Sequence, residues 1–294
     1  PPPIYEQQGS ENWTVLRQVT APLVEPVGVV QDVQGRLFVA DAAAHCIRVF
    51  LRTGEYIGWL GKADDGSVGY HAGSDALTPL AGDEAGAFSA PEAVAADSSY
   101  GGYPVGKGAG TVPVLWVADT GNNRLQRFDL TSLDTAPLVF EGDSVDPVNG
   151  LRQPGGIAAV NDQVFVADTG NHRVLVAYYS AYSGTLTASG WYGLADGAGG
   201  GYHNLYDEVG PPIAGSGDLQ FSSPRHLAVA TIPALSYAQI LAVADKGNCR
   251  AVLLNLTART MLGWIGASTG AGGSGWHGPD SSAVPTNGSG DGEF

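Results

Sequence analysis

The chain holds one Met, two Cys and only three Lys, at positions 62, 107 and 246. Its 14 basic residues face 29 acidic ones, so the net charge is −15. A chain this acidic lacks the basic stripe that nucleic-acid phosphates require. No apolar run approaches the roughly 18 residues that a membrane-spanning helix needs. The 43 Gly follow no G-X-Y period, which excludes collagen. No stretch shows a helical period over ten residues. The sequence also lacks G-x-S-x-G, P-loop, H-E-x-x-H and C-x-x-C motifs. What it does have is 44% hydrophobic residues, enough for a core, so global disorder is excluded. Its 294 residues allow one large domain or two small ones.

The chain opens Pro1-Pro2-Pro3 without an initiator Met or a signal peptide, as expected of a processed chain or an excised segment. Asn12, Asn255 and Asn287 each begin an N-x-[ST] sequon and are glycosylation candidates. Scarce Lys, acidity and Gly/Ser-rich loops suit a secreted, extracellular protein. Cys46 and Cys249 permit a single disulfide, with two inert buried thiols as the alternative.

The strongest signal is internal repetition. Four segments share one phrase: Leu37-Phe38-Val39-Ala40-Asp41, Leu115-Trp116-Val117-Ala118-Asp119, Val164-Phe165-Val166-Ala167-Asp168 and Leu241-Ala242-Val243-Ala244-Asp245. Three are followed by near-identical turns, ending in Asn122-Asn123-Arg124, Asn171-His172-Arg173 and Asn248-Cys249-Arg250. Each phrase is preceded by a Pro and an apolar run, starting at Pro26, Pro91, Pro154 and Pro224. Three residues before each Pro stands Leu23, Phe88, Leu151 or Phe221, and Phe294 falls in the same register. Three repeats add Gly58-Trp59-Leu60-Gly61, Gly190-Trp191-Tyr192-Gly193 or Gly263-Trp264-Ile265-Gly266. Each of these leads to Gly69-Tyr70-His71, Gly201-Tyr202-His203 or Gly275-Trp276-His277. The chain thus reads as an N-terminal arm over residues 1–20, with one strand at Trp13 to Val19, and a repeat region over 21–294.

Each repeat offers four short β-branched or aromatic runs bounded by Gly, Asp, Asn or Pro. The first gives strands near 27–31, 37–40, 47–51 and 56–60, and the fourth near 227–230, 240–244, 251–254 and 261–265. The fold class is therefore all-β, a β-propeller of four-stranded antiparallel blades. Residues 61–87 and 194–220 are Gly-rich and read as long loops. Asp41, Asp119, Asp168 and Asp245 are expected to accept backbone N–H groups of the turn that follows them. Arg124, Arg173 and Arg250 are expected to reach a carboxylate or carbonyl of an adjoining turn.

The phrase V-A-D-x-G-N-x-R followed by an apolar strand resembles the NHL repeat. The resemblance spans most of residues 23–266 in four copies. It implies a β-propeller, commonly six-bladed in that family, completed here by the arm or by another chain. Some secreted NHL-like propellers are the lyases that complete peptide amidation, and there His residues following the blade Pro hold zinc. Only His226 lies near such a position. The alternative activity is therefore a metal-dependent peptidyl-hydroxyglycine lyase-like enzyme.

His71, His203 and His277 recur at one place and are metal candidates for Zn²⁺, against packing on their neighbouring aromatics. The loop acids Asp64, Asp65, Asp75, Asp83, Asp196, Asp207, Asp218, Asp280 and Asp291 offer oxygen ligands for Ca²⁺. Tyr178, Tyr179, Tyr182, Trp191, Tyr192, Tyr202 and Tyr206 crowd the third repeat, as a surface for a partner or a glycan or as packing between blades. The primary expectation is a non-enzymatic extracellular scaffold without a cofactor. Its partner is itself or another extracellular protein, and the arm adds a strand to a neighbour's sheet.

Overall fold

The computed structural model describes residues 3–8, 12–18, 23–73, 77–97, 113–160, 162–207, 209–232, 238–269, 274–279 and 284–286. The arm forms a hairpin of β1 (Pro3–Gln8) and β2 (Asn12–Gln18), paired antiparallel. The arm's strand is thus not unpaired, which corrects the expectation of a single strand. Pro is tolerated at a strand's start, so the Pro-rich opening did not prevent pairing.

The first sheet holds β3 (Pro26–Gln31), β4 (Leu37–Asp41), β5 (Cys46–Phe50), β6 (Tyr56–Ala63), β7 (Val68–Ala72) and β8 (Pro79–Leu80). The second holds β9 (Ala93–Asp97), β10 (Val114–Asp119), β11 (Arg124–Asp129) and β12 (Leu138–Glu141). A single α-helical turn, Gly142–Val145, follows it. The third sheet holds β13 (Pro154–Val160), β14 (Gln163–Asp168), β15 (Arg173–Ser180), β16 (Thr185–Ala195), β17 (Gly199–Asn204) and β18 (Pro212–Ile213). The fourth holds β19 (Pro224–Ile232), β20 (Ala238–Asp245), β21 (Arg250–Asn255), β22 (Thr260–Thr269), β23 (Ser274–His277) and β24 (Val284–Thr286). Each sheet is an antiparallel meander through its first four or five strands, and β8, β18 and β24 pair back on β6, β16 and β22.

Among the described residues, four strands per repeat holds only for the second sheet; the other three have six. The segments read as loops contain β7 and β8, and β17 and β18, paired on β6 and β16. Their Gly content hid them, because Gly has low strand propensity. The pairing rests instead on pockets between particular side chains. An ideal Cβ at Gly58, Gly190 or Gly263 would lie within 3 Å of the Tyr70, Tyr202 or Trp276 ring system. Bare glycine therefore makes the slot that the next strand's aromatic fills.

The chain falls into two compact units: Pro1–Asn122 with Gln126–Val139, and Asn123–Leu125 with Phe140–Phe294. In the first unit, one face of the first sheet carries Phe38, Ala40, Ile47, Val49 and Leu60. It packs on Leu115, Val117 and Phe128 of the second sheet. In the second unit, Phe165, Val174, Val176 and Tyr192 of the third sheet pack on Leu241, Val243, Val252, Leu254 and Trp264 of the fourth. The rule is the same in both. In each unit the earlier sheet presents a trailing face to the later one, which meets it with its leading face, the face that bears the repeat Asp. Strand alternation makes both faces apolar, so a lone sheet of this kind cannot be stable.

Close approach of the sheets needs glycine at one place. A Cβ on Gly28 would meet the Glu92 carbonyl at 2.8 Å, and one on Gly156 the Arg225 carbonyl at 2.3 Å. Both are the second residue after the repeat Pro, on the trailing face.

Candidate functional site

The repeat Asp residues are all buried. Asp168 Oδ1 accepts the Arg152 N–H at 2.7 Å, and Asp119 and Asp245 accept those of Ser89 and Ser222 at 2.8 Å. Asp41 takes those of Val24 and Glu25. The accepted groups lie just before the repeat's own first strand, not in the following turn. The expectation is corrected on that point: the carboxylate staples the entry segment to the end of the second strand. The other oxygen serves the turn, accepting the side-chain amide of Asn122, Asn171 or Asn248 at 2.8–2.9 Å.

Arg173 and Arg250 each bind the Asp of their own repeat and, as expected, reach back to the segment before it, whereas Arg124 binds Glu141 of its own repeat. Arg173 Nε donates to Asp168 at 2.7 Å, and Arg250 Nε to Asp245 at 2.9 Å. Arg173 also reaches the Gly150 carbonyl at 2.7 Å and pairs with Asp146 at 2.7 Å. Arg250 donates to the carbonyls of Ser216, Gly217 and Gln220. Arg124 is buried and pairs with Glu141 at 3.5 Å. Burial pushes the Asp168 and Asp245 carboxyls above the ordinary range, and the neighbouring Arg opposes the rise. In the first sheet Cys46 occupies the position of the repeat Arg. The cation moves two residues on, to the same strand face, where Arg48 Nε lies 3.5 Å from Asp41.

A second joint, missed in the sequence, links successive repeats. The residue before the repeat Arg position is left-handed in every copy: His45, Asn123, His172 and Cys249 have φ of 49–54°. Its side chain accepts an N–H from the residue preceding the next repeat's Pro. His45 Nδ1 takes Ala90 at 3.0 Å, His172 Nδ1 takes Ser223 at 3.0 Å, and Asn123 Oδ1 takes Gln153 at 2.7 Å. The only sequence signal was a side chain with an acceptor atom at that place, since Asn and His tolerate positive φ. The fourth copy has the Cys249 thiol there.

The metal candidates lie on three different sheets. His71, His203 and His277 stack on Trp59, Trp191 and Trp264, with ring centroids 4.1, 4.4 and 4.0 Å apart. Each Nε2–H donates to the carbonyl of the second Gly in its Gly-Trp-x-Gly phrase, at 3.2–3.3 Å. Packing thus accounts for their recurrence. Among the described residues, no group of three or more His, Cys, Asp or Glu is placed to hold a metal ion. Of the loop acids, Asp65 caps Ser67 and Asp207 caps Asn204 in local turns. Asp75, Asp280, Asp291, Asn287 and Phe294 lie outside the described residues. His226 is exposed on β19.

Both cysteines are free thiols, so the candidate disulfide between Cys46 and Cys249 is not formed. Cys46 is enclosed by Ala44, Trp59 and Ala63, where no second sulfur reaches it. Burial pushes its thiol up to about 12. At neutral pH the native chain should therefore react with a thiol reagent at Cys249 only, and at both cysteines once unfolded. Labelling of Cys46 in the native chain, or of neither residue, would contradict this. Asn12 lies in β2, and Asn255 ends β21, its Oδ1 accepting the N–H groups of Thr257 and Ala258 at 3.0 Å. The third-repeat aromatics divide. Trp191 and Tyr192 are buried and Tyr179 packs edge-on against Phe140, whereas Tyr178, Tyr182 and Tyr206 are exposed.

Together the meanders, the carboxylate staples and the face-to-face sheet packing define β-propeller blades. The chain carries NHL repeats: the NHL repeat family pattern matches residues 23–50 and 151–177. No curated protein matches the sequence. Among solved structures it is similar to a streptogramin B lyase, at 11% identity and a TM-score of 0.42, over 81% of this chain and 54% of that one. It is also similar to an auxiliary nutrient binding protein from Bacteroides thetaiotaomicron, at 12% identity and a TM-score of 0.43, over 90% of this chain and 62% of that one. A nidogen/laminin complex gives 11% identity and a TM-score of 0.37, over 81% of this chain and 79% of that one. The chain spans less than two thirds of the first two structures. Among the described residues, no helix is long and apolar enough to cross a membrane.

Proposed function

We propose that this chain is a non-enzymatic extracellular glycoprotein scaffold that binds protein through the surfaces of its blades. One contrast carries the reading. The repeat Asp and Arg residues, which look most like chemistry in the sequence, are buried and committed to holding the blades. Large apolar side chains stand in solvent instead, among them Val29, Tyr182, Tyr206 and Trp276. Exposed aromatics on a rigid β framework favour a protein partner, because they bury much area at little cost in side-chain freedom. The acidity, the scarce Lys and the sequons support secretion. The test is to secrete the chain from a eukaryotic cell, treat it with a glycosidase and cross-link it in the medium. Loss of mass on deglycosylation is expected, together with adducts to itself or to another secreted protein. A chain without adducts overturns the binding reading, and a chain without glycan overturns the glycoprotein assignment.

A further inference from the structure

Within the second unit, no described sheet packs on the trailing face of the fourth sheet. Its register aligns His226, Ala244, Ala251, Ile265 and Trp276 across five strands, with Ala228, Ala242 and Leu253 beside them. Ala228 and Ala244 are exposed, and Trp276 is 54% exposed. The matching positions of the third sheet are Ala158, Ala167, Val174, Val176, Tyr192 and Tyr202, in or against the core shared with the fourth. Trp276 lies over Gly263 as Tyr70 lies over Gly58 and Tyr202 over Gly190. Those two tyrosines pack into the inter-sheet cores, whereas Trp276 meets solvent. This face therefore has the chemistry of an interior joint.

The complementary half-joint is also open. Within the first unit, the leading face of the first sheet carries Val29, Leu37 and Val39. Val29 is 65% exposed and the other two are half-buried. Their counterparts Val94, Leu115 and Val117 in the second sheet are buried.

Resting on the scaffold reading, we infer that the trailing face of the fourth sheet receives the leading face of the first sheet of a second copy. Two features make this joint weaker than those inside the chain. Cys249 replaces the His or Asn acceptor, and a thiol is a poor acceptor. His226 stands where Gly28 and Gly156 let the following sheet's backbone approach. The incoming inner strand is held off, and contact concentrates on Leu253, Ile265 and Trp276. Each copy has one face of each kind, so association is head-to-tail and generates open or closed chains of subunits rather than a twofold dimer.

The test uses the full chain in sedimentation velocity. The expected wild-type result is a series of species growing with concentration. Val29→Asp and Ala244→Asp each alter an exposed position, so both variants should fold, with circular dichroism as the check. Each alone should be monomeric, and an equimolar mixture should give a heterodimer and nothing larger. His226→Gly should strengthen assembly, shifting the series to lower concentration. A monomeric wild-type chain, or a single-face variant that assembles like wild type, overturns the inference. Wild-type monomers whose Val29 and Trp276 are both protected from oxidative footprinting also overturn it, in favour of closure within one chain. Cross-linking to other secreted proteins would survive any of these failures, so the scaffold reading stands or falls separately.

Discussion

Replacing Arg173 with Leu should destabilise the chain by about 3–5 kcal/mol, the usual cost of breaking a buried pair by removing one partner. The guanidinium is fully buried between two fully buried carboxylates, Asp168 and Asp146, each 2.7 Å away. It also satisfies the Gly150 carbonyl at 2.7 Å. Leu would keep most of the volume but leave two carboxylates without this cation and the Gly150 carbonyl with the Asn171 side-chain amide, at 3.2 Å, as its remaining donor. The pH dependence has a definite sign. Burial already raises the Asp168 carboxyl above its ordinary 3.8, and Arg173 is the main opposing influence. Without Arg173 the folded value rises further. A raised folded value favours the protonated form, so its stabilising share is present at low pH and lost as pH rises through it. The variant's deficit should therefore narrow on acidification towards the ordinary Asp range. Denaturant titrations across pH read this directly. A loss under about 1 kcal/mol, within the range of a surface pair, would refute the assignment.

Trp264→Ala should cost a similar amount, about 3–5 kcal/mol, as large-to-small changes in cores do. The ring is 1% exposed within the core that joins the third and fourth sheets. One side stacks on His277 at 4.0 Å, and the Arg250 guanidinium lies 5.7 Å from its centroid. Deletion opens a cavity beside the Arg250–Asp245 pair and frees the imidazole that ties β23 to β22. Amide exchange in Ser274–His277 should accelerate more than in β20. Trp264→Phe, which keeps an aromatic stack, should recover most of the loss. Equal acceleration in β20 and β23 would show that the stack does not hold the outer strand.

The repeat phrases made most of the blade structure legible. Val-Ala-Asp placed the second strand of every sheet, and the flanking Pro and Arg placed the first and third. Gly-Trp-x-Gly placed the fourth. Its partner phrase, Gly-Tyr-His or Gly-Trp-His, was visible as a repeat but not as a strand. Those residues pair because Tyr70, Tyr202 and Trp276 fit slots that only bare glycines leave. A propensity count cannot see a slot made by another strand. The roles of the repeat Asp were half legible. Burial and turn bonding followed from their type and place, but the accepted N–H groups lie 16 residues away in Arg152 and 30 away in Ser89. The candidate disulfide failed for a related reason. Cys46 stands at the repeat Arg position and Cys249 one position earlier, at the left-handed turn residue, and Cys46 points into its own sheet's packing.

The scarcities noted at the outset excluded broad classes, and the sequence by itself determined the rest of the local plan. That plan is all-β, in four repeats, with a carboxylate at each second-strand end and apolar residues on both strand faces. These are properties of neighbouring residues and of alternation, which a linear pattern records. Tertiary structure alone decided which faces are covered. Ala167 and Ala244 sit in the same Val-Ala-Asp phrase, yet one is buried and the other is exposed. Whether a face is interior depends on a second sheet arriving from elsewhere in the chain or from another chain. That is a long-range event, and the local phrase carries no record of it.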